Sequence, residues 1–188
     1  MPNLTIAYNQ CITECNDPKV GYSLAYREKK TVGGITYFDC SSLMSYCCTV
    51  AGFFDNNPWF TTRSMDEYLI KAGWKKGTAN QKWKKGDILW RSGHTEMVHT
   101  PADGGGYTMG AHTNSYPLVD QVSINTFVSP YSRWTYLYRY PQEVGSNISL
   151  FVIAAMCGNF WQESTINPAL WQGTIVGAAG YGLGQWTD

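Results

Sequence analysis

The sequence predicts an α+β domain over residues 1–140, in which helices pack on an antiparallel sheet. Apolar residues recur at helical spacing between residues 39 and 52 and again between residues 64 and 73. Three strand-like segments follow, GDILW, HTEMVHT and GYTMGAH, separated by glycine-rich turns such as DGGG. Helices followed by a run of strands favour segregated layers over alternating β–α–β units.

The first predicted helix begins near Asp39 and ends at Gly52. Cys40 falls in its first turn, where free amides and partial positive charge favour a thiolate and can hold an oxyanion. Cys47 and Cys48 lie about two turns further along and are explained by packing. A lone cysteine at a helix start is more often structural than catalytic, so a catalytic role for Cys40 requires a base.

The second predicted helix carries the pattern SMDE at its start. Ser64 and Glu67 are spaced so that each side chain can satisfy a free amide of the other, as in a capping box. Gly73 is expected to end this helix.

The chain has three histidines, and all of them lie in the strand-like segments. Residues two apart share a face of a strand, so His94 and Glu96 point one way and His99 points the other. His112 ends the next strand and can lie beside His94 across the hairpin, where it would orient the imidazole. For any one histidine, a structural hydrogen-bonded role is about as probable as a catalytic one.

A boundary is predicted within YRYPQEVGSN, residues 138–147. Pro141 and Gly145 interrupt the preceding strand pattern, which makes residues 141–147 a linker. A new helical pattern begins at Ile148, with Ser146 or Asn147 as its N-cap.

The composition excludes several classes of protein. Fourteen basic and fourteen acidic residues balance, so no general attraction to nucleic acid is expected. The longest apolar run, LFVIAAMC, is too short to span a bilayer, and we expect no membrane insertion. The N-terminal residues lack the pattern of a signal peptide, which predicts synthesis in a cytoplasm.

The segments YFDCSSLMSYC, KKGDILWRSGHTEMVH and GYTMGAH together resemble the NlpC-type cysteine peptidase superfamily, especially its phage amidase branch. GYS at residues 21–23 resembles the same branch, and the resemblance covers about Thr5 to Tyr140. It implies a papain-like fold, in which a helix presenting the cysteine packs on an antiparallel sheet presenting the histidine.

The resemblance also implies site residues. Cys40 matches the nucleophile and His94 the base. The position that matches the third residue of the family is Gly110, which has no side chain. His112 therefore takes this role in our prediction, with Asn114 as the alternative.

An oxyanion site is implied as well. The Cys40 backbone amide supplies one donor, and Tyr22 or Tyr26 is a candidate for a second. No cofactor and no metal is expected.

The segment GNFWQESTINPALWQG, followed by GAAGYGLGQWT, resembles the opening of the phage tail lysozyme family. The resemblance makes Glu163 the general acid for glycan cleavage, and burial beside Phe160 and Trp161 would raise its pKa as that role requires. Residues 148–188 would then form a partial, α-helical, lysozyme-like domain that is truncated relative to the family. Its exposed apolar face predicts self-association through this segment.

Taken together, these resemblances predict a phage lysin whose partner is bacterial peptidoglycan, acting on the cell wall as a released endolysin or from the virion tail. It would cleave an amide bond as an amidase or endopeptidase. The alternatives are an acyltransferase on the same cysteine fold and a non-catalytic wall-binding module. A zinc module using Cys11 and Cys15 with two histidines is a third, although no second close Cys/His pair follows CITEC.

Overall fold

The structure, a computed structural model, describes residues 1–145 of the 188-residue chain. The chain divides into two units, Met1–Gly145 and Ser146–Asp188. Within the described residues, the helices are α1 (Leu4–Asn16), α2 (Cys40–Val50), α3 (Met65–Lys71) and α4 (Leu118–Gln121). The strands are β1 (Val20–Tyr22), β2 (Glu28–Val32), β3 (Ile35–Phe38), β4 (Lys75–Thr78), β5 (Ile88–Arg91), β6 (His94–Ala102), β7 (Gly105–Ala111), β8 (Val122–Ile124), β9 (Ser129–Pro130) and β10 (Tyr136–Arg139). The predicted α+β class is confirmed.

The strands form one large antiparallel sheet and one small sheet. The large sheet has the order β4-β10-β5-β6-β7-β8, and β9 pairs with β7. The predicted meander corresponds to β5, β6 and β7, which pair with their sequence neighbours. The small sheet has the order β1-β3-β2 and includes one parallel pair, β1 with β3.

Helices α1 and α2 pack against each other and against β6 and β7 of the large sheet. The core between them includes Leu43 and Met44 of α2, Met97 of β6 and Met109 of β7, which have no exposed surface. Full burial of each such side chain stabilises the fold by about 1.5–3 kcal/mol. This core holds α2 against β6 and β7.

Helix α2 begins where the sequence predicts. Asp39 accepts a hydrogen bond from the Ser42 amide at 2.7 Å, and Ser42 Oγ accepts one from the Asp39 amide at 2.9 Å. This reciprocal capping satisfies free amides at the helix start. The chain leaves the helix at Gly52, whose φ of 78° suits a glycine.

Helix α3 ends before Gly73 as predicted, but its predicted capping box is wrong. Ser64 makes no side-chain hydrogen bond to the first turn of the helix. Its hydroxyl instead accepts a hydrogen bond from the Thr61 amide at 3.0 Å, on the outer side of the helix start.

The first five residues of the predicted linker pack on α1. The Leu4 amide donates to Gln142 Oε1 at 2.8 Å, and the Gly145 amide donates to Thr5 Oγ1 at 2.9 Å. Residues 141–145 therefore belong structurally to the first unit.

Candidate active site

Cys40, the predicted nucleophile, is the first residue of α2 and is only 6% exposed. The loop before it is fixed by Arg27, whose Nε donates to Asp39 Oδ2 at 2.5 Å. Arg27 also donates to the carbonyls of Trp59 and Phe60 at 3.0 and 2.6 Å. These contacts hold the N-terminus of α2, and with it the position of the Cys40 sulfur.

The surroundings of Cys40 favour the neutral thiol. Burial and the charge of Asp39 raise the pKa of Cys40 to about 11, although the amides of Thr95 and Ser41 act in the opposite direction. The thiolate expected from the helix N-terminus is therefore not the resting form, because burial outweighs the favourable amides. A nucleophilic Cys40 must pass its proton to a base.

His94, the predicted base, begins β6 and is held by Glu96. His94 Nε2 lies 2.8 Å from Glu96 Oε1. An ionised carboxylate only accepts hydrogen bonds, so Nε2 carries the proton and Nδ1 is left as the basic nitrogen. The ring of His94 also stacks on Trp134, with centroids 5.8 Å apart.

Glu96 is the centre of a buried hydrogen-bond network. His112 Nδ1 lies 3.2 Å from Glu96 Oε1. On the other carboxylate oxygen, Asn125 Nδ2 donates at 3.0 Å and the Thr108 hydroxyl also donates. Burial alone would raise the pKa of Glu96, but the hydrogen bonds and charges of His112 and His94 outweigh it and hold this pKa well below its usual range.

The structure puts His112 beside His94, with ring centroids 6.5 Å apart, but the contact between them runs through Glu96. Glu96 Oε1 contacts both rings, so His112 touches Glu96 and not His94, while the orienting role predicted for His112 stays a prediction. Gly110 lies opposite Glu96, and a Cβ there would come within 3.1 Å of Glu96 Cγ. A side chain at position 110 and the Glu96 carboxyl would compete for the same space.

The remaining predicted residues fall in different places. Tyr22 lines the same cleft as His94 and His112, and burial together with the nearby Cys40 and Asp39 raises its pKa to about 12. Tyr26 packs on Tyr37 and does not line this cleft.

Asn114 and Glu163 complete the set of predicted site residues. Asn114 is exposed in a turn, outside the lining of the cleft. Glu163, together with the rest of the lysozyme-like segment, lies outside the described residues.

A cleft of about 350 Å³ opens over the histidines. It is lined by Tyr22, Arg91, Gly93, His94, Glu96, His112, Thr113, Tyr116, Asn125, Phe127 and Arg133. Cys40 does not line this cleft, and α2, which begins with Cys40, packs on β6, the strand that carries His94 and Glu96. Among the described residues, no hydrogen bond joins Cys40 to His94; such bonds are often long in a ligand-free site and tighten on substrate binding.

Comparison with sequence models of known families identifies the first unit. Residues 7–147 match the model described as bacteriophage peptidoglycan hydrolase. The chain belongs to this family. Residues 138–188 match the model described as phage tail lysozyme. No curated protein matches the chain.

The chain is therefore a phage cell-wall hydrolase whose peptidoglycan hydrolase domain is followed by a segment similar to phage tail lysozyme. Its substrate class is peptidoglycan. In the part of the chain that the structure describes, no helix has the length and apolarity to cross a membrane.

One group of side chains in the hydrolase has the spacing of a metal site. Ligand atoms of His94, Glu96 and His112 all lie within 4.8 Å of one another. The hydrogen bonds just described account for this spacing. The alternative zinc module does not form within residues 1–145, where Cys11 and Cys15 are buried in the core and belong to no such group.

The state of the Cys40 thiol can be tested without substrate. Because its pKa is about 11, alkylation by iodoacetamide should be slow at pH 7 and rise about tenfold per pH unit as the thiolate forms. The rate is followed by mass spectrometry, with the Cys40→Ala variant as the blank. A fast rate that does not change between pH 6 and 8 would show a thiolate already present at neutral pH.

The Glu96 network predicts a pH-dependent contribution to stability. The folded-state pKa of Glu96 lies below its usual value of 4.5, so its ionised form stabilises the fold above that pH. This contribution is lost as the pH falls below 4.5 toward the folded-state pKa. Glu96→Gln should lower the free energy of unfolding by about 1–3 kcal/mol at pH 7, because buried donors lose their acceptor.

Urea unfolding of wild type and Glu96→Gln at pH 7 and pH 3 provides the measurement, and the gap between the two proteins should narrow at pH 3. The exposed Glu143, paired with Lys84, offers a control. The free energy of unfolding of Glu143→Gln should stay close to that of wild type at both pH values. A gap for Glu96→Gln that is equal at both pH values would contradict an ionised Glu96 with a depressed pKa.

Proposed function

We propose that the first domain cleaves an amide bond of the peptidoglycan peptide by cysteine nucleophilic catalysis, on a papain-like fold of the NlpC type. The observation that carries the proposal is the arrangement at the start of β6. There, the helix that begins with Cys40 packs on the strand that carries His94, and His94 Nε2 is hydrogen-bonded to the buried carboxylate of Glu96. Nucleophile, base and orienting group in this order are the components of acyl transfer.

The first step is a proton transfer from the Cys40 sulfur to His94 Nδ1. The sulfur then attacks the carbonyl carbon of the amide, and the carbonyl π electrons move to oxygen. Glu96 stabilises the imidazolium, since its carboxylate accepts a hydrogen bond from Nε2 over an N–O distance of 2.8 Å. The neighbours of Glu96 keep this carboxylate ionised. The neutral resting thiol makes this transfer part of the reaction, as in general-base catalysis.

Collapse of the tetrahedral intermediate breaks the C–N bond, and the imidazolium gives its proton to the leaving amine. Water, deprotonated by His94, then attacks the thioester and releases the carboxylic acid and the free thiol. The Cys40 amide at the start of α2 is the first oxyanion donor, and Tyr22, whose hydroxyl stays protonated, is the candidate for the second.

For the second domain, we propose that Glu163 is the general acid of a glycosidase. Its support is the match of residues 138–188 to phage tail lysozyme and the position of Glu163 within GNFWQES. Peptide and glycan cleavage on one chain suit a lysin that is released at lysis or carried on the virion tail.

Mass spectrometry of fragments released from purified peptidoglycan tests both proposals. Amide cleavage leaves a new free amine and carboxylate, whereas glycan cleavage leaves a new reducing end. We expect wild type to produce new amines and Cys40→Ala to produce none. New amines released equally by both proteins would refute the cysteine mechanism, and transfer of the peptide to an added amine instead of water would indicate an acyltransferase.

A further inference from the structure

Two arginines line the cleft without an acidic partner. Arg91 is the last residue of β5, and Arg133 lies in the turn just before β10. Within residues 1–145, neither forms an ion pair, whereas Arg27 and Arg139 are bound to Asp39 and Asp87. The guanidinium groups of the cleft therefore differ from those that hold the fold together.

Arg91 lies directly beside the candidate base. In the β5–β6 register it is the cross-strand partner of His94. Its guanidinium carbon lies 5.9 Å from the ring centre of Trp134, the same ring on which His94 stacks. Arg91 Nε is buried and has no hydrogen-bond partner among the described residues. A buried donor without an acceptor is costly to folding, and a polar ligand in the cleft would supply the missing acceptor.

Arg133 lines the same cleft from a different segment of the chain, the turn before β10. Its guanidinium carbon lies 5.8 Å from the ring centre of Phe127, which also lines the cleft and is about half exposed. This contact leaves the N–H groups of the guanidinium free for a polar ligand.

The cleft has a net positive lining. Glu96 is its one carboxylate among the described residues, and both of its oxygens are already occupied by His94, His112, Thr108 and Asn125. Glu96 is 1% exposed, and its ion pairs among the described residues are with His94 and His112 and not with an arginine. An anionic group is the ligand that this lining would select.

We propose that Arg91 and Arg133 bind a free carboxylate of the peptidoglycan peptide, next to the amide that is cut. The proposal rests on the proposed amide cleavage and deepens it by naming the substrate class as a peptide that carries a free carboxylate near the scissile bond. A planar guanidinium matches a carboxylate with two parallel hydrogen bonds, which fixes the orientation of the peptide. Conversion of that carboxylate to a carboxamide would remove both the charge and an acceptor.

The test compares soluble muropeptides with the same muropeptides amidated by ammonium and a carbodiimide. For wild type, kcat/KM should be at least about tenfold higher on the free acids, since charge-assisted hydrogen bonds are about twice as strong as neutral ones. Arg91→Gln and Arg133→Gln should each raise KM on the free acids and reduce this preference. Arg91→Lys should restore part of it. The exposed Arg63, which does not line the cleft, offers Arg63→Gln as the matched control.

The outcomes separate the two proposals. If wild type cleaves both substrates equally, amide cleavage stands and the carboxylate site is refuted. If wild type cleaves neither, the proposed function itself fails. The wild-type comparison requires no variant to fold, and circular dichroism with thermal unfolding shows whether Arg91→Gln is folded. A folded Arg91→Gln and a folded Arg133→Gln that both keep the wild-type preference would also overturn the carboxylate site.

Discussion

Replacing Cys40 with alanine should abolish amide cleavage of peptidoglycan while leaving the protein folded. The alanine keeps the helix start, since the capping hydrogen bonds of α2 come from Asp39 and Ser42. It removes the sulfur at the first position of α2. Loss of a nucleophile that works as a unit with its base costs about 10⁴-fold or more in rate.

The measurement is the rate at which new free amines appear, with fragments identified by mass spectrometry. Cys47→Ala is the matched control, because Cys47 is also a buried cysteine of α2 but lies in the core. It should lower the free energy of unfolding by about 1 kcal/mol and retain activity. Near-normal release of amines by Cys40→Ala would overturn the nucleophile assignment.

The elements that the sequence predicts well are those whose signals are local. The start of α2 depends on Asp39 and on the apolar spacing that follows it, and both are visible in a short window of residues. The hairpins of the meander are marked by glycines such as Gly93 and Gly104, which have φ values of 76° and 75°. A turn that requires positive φ is one of the strongest local signals a sequence contains.

Helix α1 is not among the helices predicted from the sequence. Its buried face consists of Leu4, Ala7, Tyr8, Cys11, Glu14 and Cys15. These positions have helical spacing, but cysteines, a tyrosine and a glutamate take the places of aliphatic residues. Only their burial against α2 and the sheet makes the stripe recognisable.

The role of Glu96 depends on contacts that are distant in the sequence. Alternation along β6 places it on the same face as His94, which was a usable signal. Its other partners, Thr108 and Asn125, lie 12 and 29 residues away along the chain. The reason for a glycine at position 110 is visible only from the strand pairing, which brings Gly110 opposite Glu96.

Replacing His94 with alanine should be nearly as damaging as replacing Cys40, because a thiol with a pKa of about 11 is almost entirely protonated at neutral pH and needs a base to react quickly. We expect a loss of about 10³-fold or more in the rate of amine release, measured as for Cys40→Ala. His112→Ala should have a smaller effect, since His112 contacts Glu96 and not the reacting groups.

His99 provides the control for His94, because it lies on the same strand and faces the other way. Its ring stacks on Tyr8 of α1 with centroids 6.0 Å apart, and burial together with the charge of Lys85 lowers its pKa. His99→Ala should therefore cost some stability and little activity. If His99→Ala proved inactive while His94→Ala retained activity, the strand face that carries the base would be the opposite one, and the Cys40–His94–Glu96 assignment would fail.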